Sequence, residues 1–163
     1  MAVAALDPER QLLRHSVATV AYRGAKVLRG VPPGFAEMRL APKSRSPLEI
    51  VAHIADLFTW AGYLADGRHV WEEPPCGTWD VETRRFFEQV TRFDARLASD
   101  EPIQCETKRL FQGPIADALS HIGQLALLRR VAGAPIRGEN YFQAVIAAGT
   151  VGPDQAEARV EFD

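Results

Sequence analysis

Four long segments with the period of an α-helix, each bounded by capping residues, glycine or proline, constrain the fold of this chain most strongly. The first begins at Asp7, an N-cap residue followed directly by proline, and ends at Gly30. The second begins with a capping box formed by Ser46 and Glu49, again with proline at the first helical position, and ends at Gly67. Both segments are therefore predicted to be amphipathic helices.

The third and fourth segments differ in how their apolar residues are distributed. The third opens near Thr78 and carries an apolar face opposite a charged one, which is typical of a helix that packs on one side. The fourth starts around Gly113 and Pro114 and runs to Val131, and its apolar residues fall on several sides. This distribution predicts a central helix, or one that also forms a subunit interface.

No segment of useful length alternates with the period of a strand, so the chain is predicted to be all-α. Four helices of about 18 to 24 residues make a four-helix bundle. The apolar stretch at residues 141–148 is predicted to form a short C-terminal helical extension, and the tail from Gly152 is expected to be extended. A length of 163 residues with 47% apolar residues is that of one globular domain, so residues 1–163 are interpreted as a single domain.

Charge and hydropathy exclude several classes of partner. The 19 basic and 21 acidic residues give a net charge of −2, which leaves no basic footprint for nucleic acid or an anionic membrane. No apolar run approaches the roughly 20 residues of a membrane span. The N-terminal residues lack a basic region and soon turn acidic, unlike a signal peptide. We therefore expect a cytoplasmic protein with no nucleic-acid or membrane partner.

Familiar catalytic motifs are absent from the sequence. It contains no glycine-rich nucleotide fingerprint, no P-loop lysine, no Gly-x-Ser-x-Gly and no His-Glu-x-x-His. Cys76 and Cys105 lie far apart and outside any Cys-x-x-Cys, so we expect reduced thiols without a role in the chemistry.

Two of the four histidines fall where a helical bundle can build a metal site. His53 lies at the edge of the apolar stripe of the second helix, and His121 follows Asp117 by one turn in the fourth. An Asp-x-x-x-His pair with a histidine from a facing helix is a two-histidine, one-carboxylate ligand set. Spacing alone is weak evidence, because the helix dipole also favours a carboxylate in a first turn. His15 and His69 are assigned no functional role.

The segments around these residues resemble the DinB-like superfamily, which includes bacillithiol and mycothiol S-transferases and the mycothiol-dependent maleylpyruvate isomerase. Residues 46–56, SPLEIVAHIAD, resemble the segment that supplies the first metal histidine in that superfamily. Residues 118–130, ALSHIGQLALLRR, resemble its terminal metal helix. Matching the Gly-Gln pair that follows His121 places His121 at the last metal histidine, and Asp117 where the superfamily usually has another histidine.

The resemblance implies an up-down-down-up four-helix bundle, usually a homodimer. It also implies a divalent metal ion, often zinc or nickel, held by His53, Asp117 and His121 at one end of the bundle. A carboxylate in place of imidazole shifts the preference toward iron(II) or manganese, while zinc remains acceptable. Gln124 and Asp56, each about one turn from a ligand, are candidates to orient the two histidines.

The implied activity is the transfer of a low-molecular-weight thiol to a small electrophilic molecule, or the isomerisation of such a molecule. Three protein ligands leave a coordination position where a thiol is deprotonated at neutral pH. Two other classes stay open. One is a catalytically silent, dimeric helical-bundle protein with a binding or stress-response role, in which Asp117 marks a lost metal site. The other is a metal hydrolase that activates water.

Overall fold

The computed structural model describes residues 7–162, so the N-terminal stretch that argues against a signal peptide, residues 1–6, lies outside the described residues. Most of the described residues are helical, and strand is confined to two segments of two residues each. The prediction of an all-α protein is confirmed. The helical segments are α1 (Pro8–Leu28), α2 (Pro47–Ala65), α3 (Trp79–Ala98), α4 (Thr107–Leu110), a π-helix (Phe111–Ile115) and α5 (Ala116–Val131).

The first two helices begin with the caps that the sequence predicts. The Asp7 carboxylate accepts hydrogen bonds of 3.0 Å from the backbone N–H groups of Glu9 and Arg10. The backbone N–H of Glu49 donates to Ser46 Oγ at 3.3 Å, and the N–H of Ser46 donates to Glu49 Oε2 at 2.9 Å. The capping box of α2 is therefore closed in both directions.

The fourth helical segment is longer than predicted. It begins at Thr107 rather than near Gly113, and Pro114 lies inside its π-helix. Proline has no N–H to donate, and the wider π-turn lets the helical course continue past it. The N–H of Ala116 bonds to the carbonyl of Gly113. Asp117 thus lies more than two turns inside a continuous helical segment, where no unpaired amide groups attract its carboxylate.

The helices pack around a shared hydrophobic core. Both α1 and α2 contact both α3 and α5. The largest fully buried apolar side chains are Phe35, Ile54, Phe58, Phe86, Phe93, Leu97, Leu110, Ile115 and Leu125. Among the helices of residues 7–162, none combines the length and the hydropathy needed to cross a membrane.

The apolar residues of α5 are divided between the core and the surface. Leu125 and Leu128 are buried, whereas Leu127 and Val131 are 52% and 54% exposed. The prediction of a central helix therefore holds for one side of α5, and an apolar strip remains open on the other side.

The chain after α5 does not form the predicted helical extension. Residues 141–148 are turns and irregular structure, so this prediction is wrong. The Asn140 side chain accepts a hydrogen bond from the N–H of Phe142, an Asx turn that redirects the chain. Phe142 itself is 98% exposed, so the stretch lacks the buried face on which a short helix depends. The tail returns to the fold as β2 (Glu161–Phe162), antiparallel to β1 (Gly138–Glu139).

Candidate metal centre

His53 of α2 meets Asp117 and His121 of α5 where these two helices pack together. One ligand atom from each residue lies within 4.8 Å of the other two. The Asp117 carboxylate lies between the two rings, with Oδ2 3.8 Å from His53 Nε2 and Oδ1 3.5 Å from His121 Nε2. The structure thus brings together all three residues of the predicted ligand set.

These distances suit a divalent metal ion. A tetrahedral ion with bonds of about 2.0–2.1 Å separates its ligand atoms by about 3.4 Å. The two nitrogen–oxygen distances at Asp117 are only slightly longer, and side-chain rotations that shorten the separations of up to 4.8 Å among the three ligand atoms would complete such a geometry. Two imidazole nitrogens and a carboxylate oxygen are also donors that zinc, nickel and iron(II) accept. The group could therefore hold a metal ion.

Asp117 has no basic side chain to neutralise it. Within residues 7–162, its ion-pairing partners are His53 and His121, and no lysine or arginine lies within salt-bridge distance of its carboxylate. The helix dipole is not its partner either, because the segment begins at Thr107. The Asp117 side chain is 48% exposed, so its carboxylate is available to a bound cation.

Gln124 orients His121, as the sequence predicts. His121 Nδ1 donates to Gln124 Oε1 at 2.8 Å, which leaves the lone pair on Nε2, the atom that faces Asp117. Asp56 does not orient His53 in the same way. Its carboxylate accepts a hydrogen bond of 2.5 Å from Arg85 and thereby ties α2 to α3.

His53 is enclosed by aromatic rings. Its ring lies 5.6 Å from that of Trp71 and 4.8 Å, nearly perpendicular, from that of His121, centroid to centroid. Burial lowers the pKa of His53, and the neighbouring Arg45 and His121 lower it further, whereas Asp117 and Glu73 act in the opposite direction. A lowered pKa keeps the imidazole neutral at pH 7, which is the form that binds metal ions.

The centre is open to solvent on one side. The side chains of His53 and His121 are only 15% and 10% exposed, but that of Asp117 is 48% exposed. A cleft of about 570 Å³ adjoins His121. Three ligands on one side and free space on the other are typical of a catalytic rather than a structural metal site.

The aromatic wall beside His53 is a part of the site that the sequence reasoning missed. Trp60 lies two turns after His53 on α2, and its ring is 5.9 Å from that of Trp71. The helical period signals Trp60, but Trp71 lies in an irregular connection that carries no periodic signal. His69 packs against Trp60 at 5.6 Å, and His15 is exposed on α1, so neither belongs to the ligand group.

The two cysteines are free thiols. Cys76 is exposed and Cys105 is partly buried. Partial burial is the largest cause that raises the pKa of each thiol, so neither is activated as a thiolate nucleophile. This agrees with the expectation that they take no part in the chemistry.

Comparison of the chain with protein-family models, with curated proteins and with solved structures finds no match. The resemblance to the DinB-like superfamily therefore stays a prediction from the sequence. The evidence for a functional site is the geometry of the residues described above.

Proposed function

We propose that this protein is a DinB-like, metal-dependent enzyme that transfers a low-molecular-weight thiol to a small electrophilic molecule, or isomerises such a molecule. The observation that carries the proposal is the convergence of His53, Asp117 and His121. They come from the two segments whose sequences resemble the metal-binding segments of the superfamily. Contacts of α1 and α2 with both α3 and α5 support the proposed four-helix bundle of up-down-down-up topology.

The proposed metal is zinc or nickel, with iron(II) or manganese as alternatives. Two imidazole donors favour the first two ions, whereas the carboxylate of Asp117 also suits the harder ones. The distances of 3.5 and 3.8 Å between this carboxylate and the imidazole nitrogens fit any of these ions after small adjustments. Metal preference is therefore a matter for measurement with the purified protein.

Each residue of the centre has a definite role in the proposed reaction. A divalent metal bound there supplies a thiolate nucleophile at neutral pH, because coordination lowers the pKa of a thiol. His53 and His121 present imidazole nitrogen donors, and Gln124 holds the His121 ring in the required orientation. Asp117 supplies negative charge at the exposed edge, where the small molecule enters. Trp71 shields the other side of His53 from water.

Metal analysis of protein prepared without a histidine tag tests the proposal. We expect one metal ion per chain, and we expect His53→Ala and His121→Ala to lose it. His15→Ala is the matched control, because His15 is exposed on α1 and should leave the metal content unchanged. A folded protein that takes up no zinc, nickel, iron(II) or manganese would instead support the silent binding protein.

A thiol-conjugation assay then separates the two enzyme classes. For the transferase, consumption of a thiol with a reactive electrophile should require the metal and should stop in His121→Ala. Metal-dependent hydrolysis without consumption of thiol would favour the hydrolase. Thiol consumption that ignores the metal would contradict the proposed function.

The proposal includes a homodimer. The exposed Leu127 and Val131 form an apolar strip on α5, which supports an interface along this helix. Light scattering after size exclusion should give twice the mass of the chain, and Val131→Arg, outside the cleft beside His121, should reduce it to one chain. A wild-type mass of one chain would contradict the dimer without affecting the metal centre.

A further inference from the structure

The cleft beside His121 has two walls of different origin. One wall is α5, with His121 and Gln124, and the other is the connection that precedes α2, with Lys43 and Arg45. The cleft measures about 570 Å³, and no acidic residue lines it. Two basic side chains, Lys43 and Arg45, therefore line the same cleft as His121 of the candidate metal centre.

The two basic residues of the cleft lack the partners that neutralise other cations of the fold. The nearby Arg39 forms an ion pair with Glu49, with Nη1 2.8 Å from Oε2. Within residues 7–162, no carboxylate lies within salt-bridge distance of Lys43 or Arg45, although Arg45 acts on the carboxylate of Glu49 from a greater distance. Glu49 is already occupied, by Arg39 and by the capping box of α2. The cleft consequently keeps a positive charge at its outer end.

Apolar side chains also line the cleft. Ile50 and Leu128 are almost fully buried, while Leu40 and Leu127 are more than half exposed. Such a surface suits a short carbon skeleton. A small molecule that carries a reactive atom and an anionic group on such a skeleton therefore matches the side chains of the cleft.

We propose that Lys43 and Arg45 bind an anionic group, a carboxylate or a phosphate, of the small molecule whose reactive atom lies at the centre formed by His53, Asp117 and His121. This inference rests on the proposed function and narrows its small-molecule partner to an acid. Arg45 offers a planar fork of donors for two oxygens of the anion, and Lys43 adds a second charge.

Calorimetry with two matched thiols tests this inference. 3-Mercaptopropionate and 3-mercaptopropionamide have the same skeleton and differ in charge. In zinc-loaded protein we expect the acid to bind about tenfold more tightly, a difference of about 1.4 kcal/mol. The double variant Lys43→Gln, Arg45→Gln should bind the two thiols equally, with the affinity for the amide unchanged. Arg130→Gln is the control and should keep the preference, because Arg130 is exposed on α5 outside the cleft lining.

The outcomes separate this inference from the proposed function. Zinc binding is measured first, and its absence from folded protein would refute both. Zinc binding with equal affinities for acid and amide would refute the inference alone. A preference for the acid that survives the double substitution would also refute the inference alone. The carboxylate would then bind the metal rather than Lys43 and Arg45.

Two further measurements cover a double variant that fails to fold. Arg45→Lys keeps the charge and should keep a preference for the acid, and salt at about 0.5 M should weaken that preference in the wild type. A salt-insensitive preference would overturn the inference. Competition of the acid by acetate or by inorganic phosphate shows which anion the pair selects, and competition by neither would also overturn it.

Discussion

Two clusters of titratable side chains lie on this fold, and they differ in how their charges are paired. In the first, which we call the tail cluster, Tyr22, Lys26, Glu139 and Glu161 form a closed network. Tyr22 Oη donates to Glu139 Oε1 at 2.5 Å, and Lys26 Nζ donates to Glu139 Oε2 and Glu161 Oε1, both at 2.8 Å. The Glu139 side chain is fully buried, so these bonds replace the water that it loses on folding.

The candidate metal centre, formed by His53, Asp117 and His121, is the second cluster. Its carboxylate is not paired with a side chain that carries a permanent positive charge. The Asp117 carboxylate faces His53 and His121, and the lowered pKa of His53 keeps that ring from acting as a cation at neutral pH. The difference indicates two roles. A network whose charges are all paired anchors the chain after α5 to α1, whereas convergent donors without a cation are suited to bind one.

The largest expected effect comes from a substitution in the metal centre. His121→Ala should lower the affinity for zinc by a hundredfold or more, because one of three donors is lost and Asp117 loses its nearer partner. Calorimetry measures the affinity, and urea unfolding of the metal-free protein should show a change within about 1 kcal/mol. Zinc affinity equal to that of the wild type would contradict the ligand assignment.

A substitution in the tail cluster should lower the stability of the fold and leave the zinc affinity unchanged. Glu139→Ala leaves the Lys26 ammonium and the Tyr22 hydroxyl without their shared buried partner, so we expect a loss of about 3 kcal/mol in the free energy of unfolding. Urea denaturation measures it, with zinc affinity as the second readout. The two clusters would not be independent if zinc binding fell together with stability.

Removal of the orienting amide should have a smaller effect on the metal centre. Gln124→Leu abolishes the hydrogen bond to His121 Nδ1 and should lower zinc affinity about tenfold. Gln112→Leu, an exposed glutamine of the π-helix outside the cleft lining, is the control and should not change it. An unchanged affinity in Gln124→Leu would show that the ring orientation is held by packing against His53 alone.

The tail cluster should also make stability fall at alkaline pH. Burial and the bond to Glu139 raise the pKa of Tyr22, and the bonds to Glu139 and Glu161 outweigh burial to raise that of Lys26. A raised pKa means that the folded state holds the proton more tightly, so stability is full below the ordinary values near pH 10 and is lost as the pH rises beyond them. Unfolding experiments between about pH 9 and 11 should show this decline, with a shallower slope in Tyr22→Phe. Equal slopes in the wild type and in Tyr22→Phe would show that Tyr22 does not contribute to the loss of stability at alkaline pH.

Interactions between near neighbours in the chain were accessible from the sequence. Ser46 and Glu49 lie three residues apart, so the start of α2 follows from their side chains alone. Asp117 and His121 share a helix face at any helical register, and so does Gln124 with His121. For the same reason the sequence could place Asp117, His121 and Gln124 together on one side of α5, but not His53 beside them.

Local signals failed where packing overrides them. Pro114 was interpreted as a helix start, but a π-turn carries the helix through it, which moves Asp117 away from any free helix end. Residues 141–148 have an apolar composition but bury only part of it, since Ile146 packs on the core while Phe142 is 98% exposed, and they form turns. Asp56 was expected near His53, yet Arg85 of α3 binds it instead.

The sequence by itself determined the positions of the long helices, their caps and which polar residues share a helix face, because these depend on contacts within about one turn of the chain. Only the tertiary structure decided that α2 and α5 bring His53 within reach of Asp117. It also decided that Lys43 and Arg45 line the same cleft as His121. The hydrogen bond between Glu139 and Tyr22 of α1 likewise depends on the tertiary structure. Those contacts join residues far apart in sequence. Their geometry depends on how the helix faces pack in the shared core, which no local pattern specifies.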